Sequence, residues 1–162
     1  MANITLFAQV IRHIPREIIH RLVKKHGTDK HAEGFNSWSH LVTMIFSQFS
    51  GSVSLRQISE GLQSATGNLN HLGLSRAPSK SNISYQNANR SSLGTSQNAV
   101  EIQIWTALIM ILLLQYLKRI AKHPWCLSNL TASLRLNTFT KIDLFQWINE
   151  PFLPPPDETE IA

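Results

Sequence analysis

An all-α fold is what this sequence predicts, and three observations predict it. Apolar residues recur at three- and four-residue spacing through most of the chain, capping residues stand just ahead of those runs, and no segment alternates as a strand does beyond a possible short one near Ser92–Gly94. The expected architecture is an N-terminal helical bundle with a helix-turn-helix-like pair, followed by a long apolar helix and two short helices.

Each element has its own signal. Leu6, Val10, Ile11 and Ile14 mark a first short amphipathic helix. Pro15 opens a second, in which Ile18, Ile19, Leu22 and Val23 share a face until Gly27. A polar loop from His26 to Phe35 separates it from a third, capped by Asn36, whose Trp38, Leu41, Val42, Ile45, Phe46 and Phe49 form a wide apolar stripe ending at Gly51. That stripe marks the core helix of the front half. Ser54 caps a fourth helix with Leu55, Ile58 and Leu62 inward. After a connection containing Gly and Asn, Pro78 and Ser79 introduce a fifth, Lys80 to Arg90.

The Ser, Gly, Thr and Asn of residues 91–98 predict a junction loop. A long apolar helix then runs from Ala99 to about Ala121, with Asn98 and Glu101 as a capping-box-like start and Lys118, Arg119 and Lys122 at the negative end of its dipole. Helical segments at Leu127–Leu136 and Lys141–Asn149 follow, until Pro151 and the Pro154–Pro156 run stop regular structure. The implied organisation is a front helical domain over 1–90, a junction over 91–98, a rear helical segment over 99–150 and a disordered tail over 151–162.

Charge separates the two halves. Residues 1–90 carry ten Lys/Arg against four Asp/Glu, giving +6, whereas residues 91–162 carry five against six, giving −1. A basic front half points to a polyanionic partner, nucleic acid being the commonest, although a solvated basic face has the same composition. The single cysteine, Cys126, forms no intramolecular disulfide and no cysteine-based zinc site. The first residues lack the charged start and apolar run of a secretory signal, so a cytoplasmic location is expected.

The segment from Ala77 to Arg90 is the candidate reading element. Its Ser, Asn and Gln side chains hydrogen-bond to phosphates and base edges, Lys80 and Arg90 bring charge, and Ile83 is the inward anchor. With Arg56 on the preceding helix, the candidate DNA-binding residues are Arg56, Lys80, Ser81, Asn82, Gln86, Asn87 and Arg90. A polar surface helix without a partner has the same composition.

Ordered motifs add a resemblance. The runs Asn36-Ser37-Trp38-Ser39-His40-Leu41-Val42, Phe46-Ser47-Gln48-Phe49, Ser54-Leu55-Arg56-Gln57-Ile58, Leu69-Asn70-His71-Leu72-Gly73 and Ala77-Pro78-Ser79-Lys80-Ser81 resemble the N-terminal domain of the insertion-sequence-four-like transposases, bacterial enzymes of the Asp-Asp-Glu class. The runs Leu93-Gly94-Thr95-Ser96-Gln97-Asn98-Ala99-Val100, Gln103–Ile109 and Trp125–Leu130 are similar to the C-terminal end of the same enzymes. Between these blocks the family carries a nuclease domain of ribonuclease-H type, whose three carboxylates hold divalent metal, Mg2+ being the expected ion. Here Arg90 and Leu93 nearly adjoin. The resemblance therefore implies a truncated transposase that binds transposon ends and lacks the catalytic centre.

The remaining chemistry agrees with a binding protein. Two-metal phosphoryl transfer needs carboxylates converging on ions ~3.5–4 Å apart, and none of the ten acidic residues sits on an apolar strand of the family pattern. No catalytic residue, metal ligand or cofactor is assigned. The histidines show no His-x-x-x-His spacing, and neither a nucleophile elbow nor a phosphate-cradling glycine loop occurs. The apolar run Ala99–Leu117 is interrupted by Glu101, Gln103 and Gln115, so a buried core helix is expected rather than a membrane span of about 20 residues. Its sheet partners in the family would lie in the missing part, which makes exposed apolar surface a hazard. Expected partners are transposon-end DNA and, through the rear helices, intact transposase or a second copy. The alternatives are an inhibitory interaction fragment and a decayed reading frame.

Overall fold

The computed structural model describes residues 4–30, 32, 34–65, 68–88 and 95–152. Among these, the chain forms α1 (Leu6–Ile11), α2 (Arg16–His26), α3 (Ser37–Ser50), α4 (Leu55–Ser64), a 3-10 turn (Leu69–Leu72), α5 (Lys80–Ala88), α6 (Thr95–Ile120), α7 (Leu127–Leu136) and α8 (Leu144–Asn149), with no strand among the described residues. The all-α expectation holds, in the expected element order. The possible strand near Ser92–Gly94 and the tail from residue 153 lie outside the described residues.

α3 is the axis of the fold. Asn36 caps it by accepting from the Ser39 amide at 2.9 Å, and Gly51 closes it. Val42, Ile45, Phe46 and Phe49 are buried, as are Ser39, Thr43 and Ser47 on its other sides. The hydroxyls of Thr43 and Ser47 donate back to the Ser39 and Met44 carbonyls, so these polar residues enter the core satisfied. Phe7 meets Phe46 and Phe49 edge-on at centroid distances of 5.8 and 5.5 Å, and Phe139 stacks on Phe46 at 5.7 Å.

That last contact brings the rear of the chain into the front core, and backbone bonds reinforce it. α1 is buried on nearly every side, where its short sequence predicted an amphipathic helix. The reason is the segment 138–144, which covers its second face. Leu6 and Phe7 donate their amides to the carbonyls of Thr140 and Thr138 at 2.8 and 3.1 Å. Gln9 donates from Nε2 to the Ile142 carbonyl (2.6 Å) and accepts at Oε1 from the Leu144 amide (2.8 Å). Arg135 of α7 donates from Nε to the Phe49 carbonyl at 2.8 Å, supplying a donor to the C-terminal turn of α3. One hydrophobic core therefore takes residues from Leu6 to Ile148.

α4 and α5 do pack on each other, and the Ser59 hydroxyl donates to the Pro78 carbonyl at 2.8 Å. The link between them spans residues 65–79 and contains the 3-10 turn, whereas a helix-turn-helix uses about three or four residues. The pair shares the contact of that motif and not its connection.

α6 departs from expectation twice. It begins at Thr95 rather than Ala99, absorbing residues 95–98 of the expected junction loop, so Asn98 lies within the helix and not at its cap. First-turn amides need no intrahelical acceptor, which lets Ser, Thr and Asn occupy that turn. Nor is α6 a buried helix. Thr106, Met110, Leu113, Leu114 and Leu117 face the core, while Val100, Ile104, Trp105, Leu108, Ile111, Leu112 and Tyr116 are 44–66% exposed. α3, α5 and α7 pack against the inner side. By length and composition Ala99–Ile120 is long and apolar enough to cross a membrane, with 28% of its most apolar window buried in the fold.

Candidate nucleic-acid interface

α5 is built from one apolar anchor and a ring of polar groups. The Ser79 hydroxyl caps it, accepting from the Asn82 amide at 3.1 Å, and Ile83 is fully buried. Lys80, Ser81, Ser84 and Tyr85 are exposed on the outer side of α5. Asn82 is half-buried.

Two of the sequence-predicted readers turn inward instead. His40 Nε2 and Asn87 Oδ1 lie 2.8 Å apart in the core, and because an amide oxygen only accepts, the imidazole donates. Gln86 donates from Nε2 to the Phe35 carbonyl at 3.1 Å. With Ile83 as its apolar anchor, α5 has to seat carboxamides against the bundle, and buried amides require partners. Asn87 and Gln86 therefore hold α5 to the loop and helix around Phe35 and His40, away from the outer face that carries Lys80 and Ser81. Arg56 stands on α4 with its side chain 80% exposed, paired to Glu60 at 2.7 Å. Such a surface pair contributes little and exchanges readily for a phosphate. Arg90 lies outside the described residues.

The densest positive charge is elsewhere, on α2, which its apolar spacing presented as an ordinary bundle helix. No residue of α2 is buried, and only Ile19 and Val23 lean on the fold, leaving Ile18 and Leu22 half exposed. Arg21, Lys24 and Lys25 stand exposed around the single acidic residue Glu17, with His20 and His26 beside them. None of the three cations has an ion-pair partner among the described residues. The signal was available in the sequence: four of the front half's ten Lys/Arg fall between Arg16 and Lys25.

The fourth of these cations is structural. The Arg16 guanidinium carbon lies 4.6 Å from the Trp38 ring centroid, and Trp38 Nε1 donates to the Leu72 carbonyl at 2.9 Å. Gly73 makes room for this stack, since a Cβ there would fall 2.3 Å from Arg16 Nη2, and its φ of +73° disfavours any side chain. Clefts open on both sides of the stack. One of about 350 Å³ is bordered by Arg16, His20, Asn36 and Trp38, and one of about 370 Å³ by Arg12, Arg16, Asn70 and His71. Asp29 at the first cleft is committed to α3, accepting from the Ser37 amide and hydroxyl at 2.9 and 2.6 Å.

The front surface thus offers exposed cations and hydroxyls, groups that bind phosphate. Among the described residues no three of His, Cys, Asp and Glu come together as a metal site. Comparison with curated proteins and with solved structures gives no match to the chain. Residues 2–75, which include α1 through the 3-10 turn but neither α5 nor the rear helices, match the family described as a domain of unknown function, DUF4372.

Proposed function

We propose that this chain is a DNA-binding protein of transposase descent that contacts transposon-end DNA through two front-half patches, the basic edge of α2 and the outer N-terminal turn of α5. Arg21, Lys24 and Lys25 supply phosphate contacts, Lys80, Ser81 and Asn82 approach the duplex at the other patch, and Arg56 adds charge by exchanging Glu60 for phosphate. The observation that carries this reading is the exposed cation group of α2, which has no ion-pair partner among the described residues, in the half of the chain that holds the whole positive surplus. The ordered motifs resembling the insertion-sequence-four-like N-terminal domain supply the choice of DNA. Such binding places the protein with the chromosome in the cytoplasm.

The test measures affinity of the full chain for a duplex bearing the terminal repeats flanking its coding element, against random duplex, across a salt series. Terminal-repeat DNA should bind more tightly, and log affinity should fall linearly with log salt. The triple variant Arg21→Gln, Lys24→Gln, Lys25→Gln should lower that slope by about 0.9 for each phosphate it no longer neutralises. Equal affinity for random DNA sinks the transposon-end reading. An unchanged slope in the triple variant sinks the assignment of α2.

A further inference from the structure

Among the described residues, the outer face of α6 carries seven of the exposed large hydrophobic side chains, more than any other helix. Val100, Ile104, Trp105, Leu108, Ile111, Leu112 and Tyr116 spread over an arc of about 160° at roughly 100° per residue, opposite the buried stripe. Two aromatic side chains of ~150–250 Å² each, Trp105 and Tyr116, and five aliphatic ones, all about half exposed, together present on the order of several hundred Å² of apolar surface. An ordinary monomer's largest patch is ~300–600 Å², and a standard interface takes ~800 Å² from each partner.

We propose that this face is the interface with a second copy of the chain, the two α6 helices crossing antiparallel. Ile104, Leu108, Ile111 and Gln115 follow one another at spacings of four, three and four, the seam of a helix pair. Glu101 ends the seam on one side, Lys118 and Arg119 on the other. A two-fold axis between Ile109 and Met110 sets Leu108 against Ile111 of the second copy and Glu101 against its Lys118. A parallel pair would set like charges together and align the helix dipoles. Beside Ile111, a groove of about 410 Å³ between α6 and α7, bordered by Leu114, Leu127, Ala132 and Arg135, leaves a hole for Trp105 of the second copy. Because the same patch serves both copies, the contact closes at two.

Other occupants fit less well. Crossing a bilayer would strip α6 from α3 and α7 and give its inner stripe to lipid, breaking the core that holds Leu113 and Leu117. Residues 153–162 supply two aliphatic side chains, Leu153 and Ile161, among three prolines and three carboxylates, too little to cover seven.

Sedimentation equilibrium of the full chain at micromolar concentration should show monomer and dimer. Leu108→Glu, at a position 45% exposed in the monomer, should abolish the dimer with the helical circular dichroism unchanged. Glu101→Lys should weaken association about tenfold, and adding Lys118→Glu and Arg119→Glu to the same chain should restore it. A monomer at every concentration, an open-ended series of larger species, a dimer that survives Leu108→Glu, or a monomer that floats with phosphatidylcholine vesicles each overturns the proposal. Failure to restore association by the charge swap overturns the antiparallel arrangement.

Discussion

α3 and α6 are both long apolar helices, and the fold treats them differently. α3 is enclosed from α1, α4, α6 and α7, so that four of its five hydroxyls are buried, while α6 gives one stripe to the core and leaves the rest in water. Apolar spacing states that a helix will bury a face. How much of the circumference is covered depends on how many neighbours the topology brings, and those neighbours come from distant parts of the chain.

The sharpest test of this contrast is a pair of truncations. Ile45→Ala, at a fully buried position of α3, should cost about 2–5 kcal/mol in urea unfolding. Leu108→Ala on the outer face of α6 should cost under about 1 kcal/mol in the monomer. Equal costs would mean that the outer face is covered in the monomer, and the two helices would no longer differ.

A smaller effect should come from the donor that α7 lends to α3. Arg135→Ala leaves the Phe49 carbonyl without its partner and should cost about 1–3 kcal/mol. Faster amide exchange confined to the last turn of α3 would locate the effect, and unchanged stability would show that water replaces the guanidinium.

The smallest effect concerns pH. His13 lies at the edge of α6, with its ring 5.2 Å from Tyr116 and 6.2 Å from Phe145, and burial lowers its pKa below the ordinary 6.5. The fold therefore favours the neutral ring. As pH falls through 6.5 the unfolded chain takes up the proton first, so this stability is complete above that pH and is lost as pH drops toward the folded-state pKa. His13→Gln should flatten the stability profile between about pH 7 and pH 5. A profile with the same slope in both proteins would remove His13 from the edge it is assigned.

Local chemistry made much of the fold legible. Asn36, Ser54 and Ser79 announce helix starts and do cap them, because a side-chain oxygen that satisfies an amide three residues on is a purely local event. Asp143 is different: it caps α8 at Leu144, whereas spacing placed that start at Lys141. The candidate site was less legible. Asn87 and Gln86 have the composition of readers, and only the positions of His40 and Phe35, some fifty residues earlier, show that their amides are already taken. On α2, apolar spacing drew attention to Ile18 and Leu22 as core residues, and the cations between them passed as background. Which side of an exposed helix matters is a property of its neighbours, and a single sequence does not display them.

The carbonyls of Thr138 and Thr140 that receive the amides of α1 carry a consequence for how the protein is made. Thr140 stands 134 residues (140 − 6) after Leu6, so α1 leaves the ribosome long before its acceptors exist. At about 5–20 residues per second, roughly 7–27 s separate the two. During that interval the apolar side chains of Leu6, Phe7, Val10 and Ile11 lack their final cover. A nascent chain of this protein should be a chaperone client until the segment after α7 has emerged, with α1 locked in place only then.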